Sequence, residues 1–303
     1  MGKLIRGVYA AVVTPRTAEG QIDLHALRRW IRFLLEMGVE GFAINGATGE
    51  LTLTREDELR ALLATAVEAA EGKAGVLAGI GAGIAAGSIA LGRIAHEAGA
   101  QGLLLPMPSF FPYAQDDLTA FCLDVANRVE TPVLLYNLPQ FTTGLEPETT
   151  LALLRSCPNI VGIKDSSGSL DTIALLKREC PEACRIIGND GALAQALRRG
   201  LADAVVSGVA CVLPELMTAL FASGYSGGPD PLLEEALNAF IAQLDTMPTP
   251  WALKVMAEAR GITPAWFALP LSVRRQGQRE ALSQWLQQNL DAMWATRLAP
   301  REA

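Results

Sequence analysis

The stretch "NIVGIKDSSG", residues 159–168, runs apolar through Ile160, Val161 and Ile163, reaches Lys164, and turns into small polar residues. It reads as a short buried strand closed by a lysine. A lysine ending an apolar run is costly unless something uses it. The same order recurs along the chain: a short Val/Ile/Leu/Ala run, a loop with Gly or Pro, then an amphipathic stretch. The runs fall at 7–13, 41–45, 75–80, 102–105, 132–136, 160–164, 184–188 and 204–207. They are too uniformly apolar for half-exposed strands and fit parallel strands buried on both faces.

Between the runs lie helical patterns such as "DLHALRRWIRFLLEMG" (23–38), "TREDELRALLATAVEAAEG" (54–72) and "AGSIALGRIAHEAGA" (86–100). Thr54 with Asp57 resembles a capping box, and Gly38, Gly72 and Gly99 are expected helix stops. Eight strand–helix cycles with a spacing of roughly 20–34 residues predict an α/β fold, a closed (β/α)8 TIM barrel over residues 1–223. An open doubly wound sheet is the alternative. After the loop "SGYSGGPDP" (223–231), residues 224–303 read as a C-terminal helical extension, broken near "TMPTP" (246–250) and "GITPAW" (261–266).

The chain has 303 residues, half of them hydrophobic, so a large core is available. Its 25 basic against 32 acidic residues leave a net charge of −7, which opposes nucleic acid or an anionic membrane as partner. No run approaches the roughly 20 apolar residues of a membrane helix. The apolar stretch after "MGKLIR" is short and ends at Pro15, so it reads as a first strand and not as a signal peptide. Arg6 breaks the myristoylation pattern. Five cysteines, an odd number with only Cys180 and Cys184 close together, fit buried thiols in a reducing cytoplasm.

In such barrels the chemistry sits at the C-terminal strand ends. Here those ends carry Thr14, "NGATGE" (45–50), "GIGAG" (79–83), "PMPSFFPY" (106–113), Tyr136-Asn137, Lys164, "GND" (188–190) and "SG" (207–208). Tyr136 and Lys164 end consecutive strands, and neighbouring strands lie roughly 4.8 Å apart, so their side chains are expected to converge. Burial disfavours the ammonium form of a lysine. A free amine attacks carbonyls to give a Schiff base, and a nearby phenol can shuttle the protons. On the residues alone, a lysine snorkelling to a surface carboxylate stays open as well.

The ordered set "NGATGE", "YNLP", "NIVGIKDSSG", "GND" and "VVSG" resembles the pyruvate-dependent class I aldolase family, the dihydrodipicolinate synthase / N-acetylneuraminate lyase superfamily. The resemblance covers about residues 4–223. It implies a lysine imine with pyruvate on Lys164, a proton-relay phenol on Tyr136, no cofactor, and a homotetramer built as a dimer of dimers. It places the carboxylate-binding turn on Gly46, Ala47 and Thr48. It places the substrate tail beside Ser166, Gly188, Asp190, Val206 and Ser207.

The departures are specific. Ala47 stands where many relatives carry a hydroxyl, and the interfacial tyrosine after strand four falls on Phe110. The loop "YNLPQFTTG" has no arginine for a second substrate's carboxylate, and Gly191 follows Asp190 where the lyase branch has glutamate. The expected activity is therefore a carbon–carbon lyase that reversibly cleaves a 4-hydroxy-2-oxo acid, such as a 2-oxo-3-deoxy sugar acid, to pyruvate and an aldehyde. The alternatives are a divergent dihydrodipicolinate synthase, a sugar-acid dehydratase, or a non-catalytic oxo-acid-binding homologue.

Other signals are weaker. "GAGIAA" (81–86) matches a permissive dinucleotide pattern but follows the third strand, with no acidic residue after the next one. Asp190 opposes a phosphate site beside the glycines at 188, 191 and 208. The only histidines, His25 and His96, fall on helices, so a metal-independent reaction is expected.

Overall fold

Strand pairing follows chain order without exception. The computed structural model describes residues 5–297. Residues 1–4, which enter the reading of the N-terminus, and 298–303, the end of the expected extension, lie outside the described residues. β1 (Gly7–Ala11), β2 (Gly41–Ile44), β3 (Gly75–Gly79), β4 (Gly102–Pro106), β5 (Val133–Asn137), β6 (Ile160–Asp165), β7 (Cys184–Ile187) and β8 (Ala204–Ser207) are all parallel. β8 pairs back onto β1, so the sheet is a closed barrel and the open-sheet alternative is ruled out.

Alternation along each strand separates two apolar layers. Tyr9, Ala11, Ala43, Leu77, Leu104, Leu134, Tyr136, Ile186, Ala204 and Val206 fill the barrel interior. Val8, Ala10, Phe42, Val76, Leu103, Ile163 and Val205 face outward under the helices. Both faces are dry, which is why the strands read as continuous apolar runs. The first strand ladder is shorter than the apolar run predicts: it stops at Ala11, although Val12 N–H still reaches Ala43 O at 3.0 Å.

The ring of helices runs α1 (Leu24–Glu36), α2 (Glu56–Ala70), α3 (Ala85–Glu97), α4 (Gln115–Ala126), α5 (Pro147–Ser156), α6 (Asp171–Glu179), α7 (Leu193–Arg198) and α8 (Pro214–Ser223). Asp23 caps α1 by accepting from Ala26 N–H at 2.8 Å. Gly38, Gly72 and Gly99 all take the left-handed conformation at helix ends, with φ of 81°, 69° and 83°. The cap of α2 is one residue later than Thr54–Asp57. Glu58 accepts from Arg55 N–H at 3.0 Å, because the buried Arg16 guanidinium, 3.2 Å away, holds its carboxylate there.

Beyond the barrel come α9 (Pro231–Leu244), α10 (Trp251–Ala259) and α11 (Val273–Arg297). They pack on the barrel through apolar contacts and three ionic links among the described residues, Arg198 with Glu234, Lys254 with Glu50 and Arg260 with Glu215, while Arg279 with Glu258 ties the extension together internally. No described helix is long and apolar enough to cross a membrane.

Candidate active site

Lys164 and Tyr136 are register partners on β6 and β5. Both share the interior phase of the barrel, so both side chains point to its axis. Lys164 Nζ donates to the Tyr136 phenol oxygen at 2.8 Å and sits 4.0 Å from the centre of its ring. The lysine is 3% exposed and the tyrosine 2%. Gly188, at the end of β7, makes room for them. A Cβ at that position would lie 2.2 Å from Ser166 Oγ and 2.9 Å from Lys164 Cε.

The loops that follow are pinned from behind. Asp165 Oδ1 accepts from Asn137 Nδ2 at 3.3 Å and from Ser167 N–H at 2.8 Å, and Asn137 Oδ1 accepts from Leu145 N–H at 3.0 Å. Across the mouth, the turn 45–50 folds back on itself through Glu50 N–H to Ala47 O at 3.0 Å and Leu51 N–H to Gly46 O at 3.2 Å. Asn45 Nδ2 ties it to Gly79 O at 2.9 Å, and Thr14 Oγ1 ties it to Gly49 O at 2.8 Å. Among the described residues no carbonyl accepts from Ala47 N–H or Thr48 N–H. Two such amides in one turn make an anion-binding concavity.

These groups surround a cavity of about 420 Å³. Lys164, Tyr136, Ala47, Thr48 and Val206 are among its lining residues. Ser166, Gln140, Gly188, Asn189 and Asp190 form one polar side. Asp190 Oδ2 accepts from Val209 N–H at 3.2 Å, while its Oδ1 and the Ser166 hydroxyl are buried without a protein partner. Burial raises the Asp190 pKa above the usual carboxylate range, against the lowering effect of the Ser207 hydroxyl, the Val209 amide and the Lys164 charge. Lys164 is the one cationic side chain among the described lining residues.

Three expected site residues lie outside this lining. Gly46 is buried within the turn, where its carbonyl accepts from Leu51 N–H. Ser207 has the outward phase of β8, is fully buried, accepts from Ala210 N–H at 2.8 Å and lies against the Asp190 carboxylate. Phe110 is 90% exposed in the loop after β4, stacked edge-on against Phe111 at 4.9 Å, with φ of 81°. Conversely, the extension supplies a whole wall that the sequence reading assigned only to packing: Ile241, Leu244 and Asp245 from α9 and its end, and Ala252 and Leu253 from α10. Lys254 beside them is a second buried lysine. The signal that singled out Lys164, a cation inside an apolar stretch ("WALKVMAEA"), was present there too.

A sequence model of the dihydrodipicolinate synthetase family matches residues 4–289. The chain belongs to the dihydrodipicolinate synthetase family. Among its curated relatives, the 4-hydroxy-tetrahydrodipicolinate synthase of Thiobacillus denitrificans is 34% identical over 91% of this chain and 94% of its own length. Among solved structures, a prophage protein of the same family from E. coli K12, in complex with pyruvate, superposes with a TM-score of 0.86 at 26% identity, covering 94% of this chain and 98% of that one. A monomeric dihydrodipicolinate synthase variant superposes with a TM-score of 0.86 at 27% identity, covering 95% and 97%. Membership extends past the barrel motifs into the extension, in keeping with its share of the cavity wall.

Proposed function

We propose that the protein is a Schiff-base-forming class I lyase that cleaves a 4-hydroxy-2-oxo acid reversibly to pyruvate and an aldehyde. The observation that carries this reading is the buried Lys164–Tyr136 pair at 2.8 Å on the cavity floor. The Lys164 amine adds to the C2 carbonyl, and Tyr136 gives a proton to the developing alkoxide. Loss of water leaves the imine. Tyr136 then accepts the 4-hydroxyl proton as the C3–C4 bond breaks, and the electron pair passes into the enamine. The aldehyde departs, C3 is protonated, and hydrolysis releases pyruvate. The Ala47 and Thr48 amides, with the Thr48 hydroxyl, hold the carboxylate.

The tail side of the cavity supports a neutral, hydroxylated aldehyde portion. Ser166 Oγ and Asp190 Oδ1 are buried acceptors awaiting partners, and Gln140, Asn189 and Asp245 add amides and an acid but no cation. A second carboxylate would meet Asp190 with nothing to pair it. The second reading, 4-hydroxy-tetrahydrodipicolinate synthase, is favoured by the names of the curated relatives. A screen of 2-oxo-3-deoxy acids for pyruvate release, run beside condensation of pyruvate with aspartate semialdehyde, separates the two. Cleavage of a sugar acid with little condensation supports the lyase. Condensation at equal efficiency replaces it with the synthase. The Ala47→Thr/Phe110→Tyr variant, assayed in parallel, tests whether the missing hydroxyls set that preference.

None of the five described cysteines is in a disulfide and all are buried, which supports a reducing, cytoplasmic setting. The exposed aromatics Phe110, Phe111 and Phe141 support association of barrels at the mouth into a homotetramer.

A further inference from the structure

Lys254 is as buried as Lys164, at 3% exposure, yet it lies on α10 and outside the reaction just described. Its Nζ is 2.7 Å from Glu50 Oε2, and the Glu50 side chain is itself only 10% exposed. The rings of Trp266 and Phe267 stand 5.2 Å and 6.0 Å from the same nitrogen. A buried ion pair is weak as a device for stability, because apolar side chains of the same volume fill such a space at least as well. Its distinctive property is a fixed distance between the two elements that carry the charges.

Those two elements are both walls of the cavity. Glu50 closes the turn 45–50 and holds a left-handed backbone, φ 56°, which is uncommon for a residue with a side chain and persists where contacts impose it. Its N–H bonds Ala47 O at 3.0 Å, so its placement is transmitted to the Ala47–Thr48 segment within one turn. Lys254 directly follows Ala252 and Leu253, which line the same cavity. The pair therefore clamps the carboxylate turn of the barrel to the helical extension.

We propose that Lys254, acting through Glu50, is a positioning residue for the substrate carboxylate, so that barrel and extension form a single oxo-acid site. The proposal rests on the reading that the Ala47–Thr48 turn holds that carboxylate. It assigns to the extension a part in binding pyruvate itself.

The test uses the full chain, cyanoborohydride trapping and intact mass, with pyruvate and its uncharged methyl ester as the two probes. Lys254→Met is expected to raise half-saturating pyruvate about tenfold or more, the scale of one charge-assisted contact. Its adduct at saturation should remain on Lys164, and half-saturation by the ester should match the parent. Lys254→Arg should recover most of the pyruvate loss. Should Lys254→Met fail to fold, Glu50→Gln, which removes the pairing charge at nearly constant volume, carries the same comparison. Half-saturating pyruvate within twofold of the parent, or equal losses for acid and ester, overturns the proposal while the lysine imine stands. Absence of any adduct in the parent overturns the imine reading and this proposal with it.

Discussion

The Tyr136 phenol oxygen and the Lys164 amine nitrogen lie 2.8 Å apart because the two residues are register partners on adjacent parallel strands. The contact is set by the ladder and not by a mobile loop, which is how a site is held to catalytic tolerance. Tyr136→Phe keeps the ring and its packing and removes the proton carrier. Turnover should fall by about 10²–10⁴-fold, the range for a positioned acid–base group. Substrate half-saturation should change little. Steady-state kinetics on the variant check this, and turnover within a few-fold of the parent would remove Tyr136 from the relay.

Gly188 is the space in which the lysine stem and the Ser166 hydroxyl lie. Gly188→Ala puts a methyl group into contacts of 2.2 Å and 2.9 Å, too close for either to stay in place. The variant should lose about 1–3 kcal/mol of stability, the usual scale for overpacking. It should also trap pyruvate poorly even where folded. Urea unfolding and adduct formation, measured together, check both halves.

The sign of the Asp190 effect is opposite to that of a paired surface carboxylate. Its pKa is raised by burial, so the folded state holds its proton more tightly than the unfolded chain does. That contribution to stability is present at acid pH and is lost as pH rises through the raised folded value. Asp190→Asn cannot ionise. Its stability relative to the parent should therefore improve progressively from about pH 4 upward. Denaturant midpoints for both proteins across pH 4–8 check the trend; a constant difference would show that Asp190 titrates as an ordinary carboxylate.

Much of this arrangement is legible in the sequence, for a physical reason. A barrel strand dry on both faces leaves no polar alternation, so eight apolar runs announce eight strands. A lysine and a tyrosine ending two of them announce the site. The alternation inside the runs carries a finer signal: Val206 and Ser207 are neighbours, so only one of them can face the barrel axis, and Val206 does. The extension was legible as helices but not as a cavity wall. Ala252 and Leu253 look like any packed helix face, and only a chain fold that returns to the barrel mouth makes them site residues. Lys254 carried a signal of the same kind as Lys164, without a strand end to direct attention to it.

Phe110 holds a left-handed backbone while 90% exposed, beside Phe111 at 60% and Phe141 at 62%. A bulky aromatic in that conformation, presented to water, suits a surface that meets a second barrel. Phe110→Ser/Phe111→Ser should shift the protein toward monomer in sedimentation equilibrium at micromolar concentration, with far-UV circular dichroism unchanged. A parent that is already monomeric would contradict the proposed tetramer.

The central claim is that Lys164 forms an imine with pyruvate, and mapping the reduced adduct tests it most directly. The protein is incubated with pyruvate and borohydride, digested, and the modified peptide is located by mass. The expected result is one adduct per chain, on Lys164, absent from Lys164→Arg. An adduct on another lysine, or none at saturating pyruvate, would contradict the account.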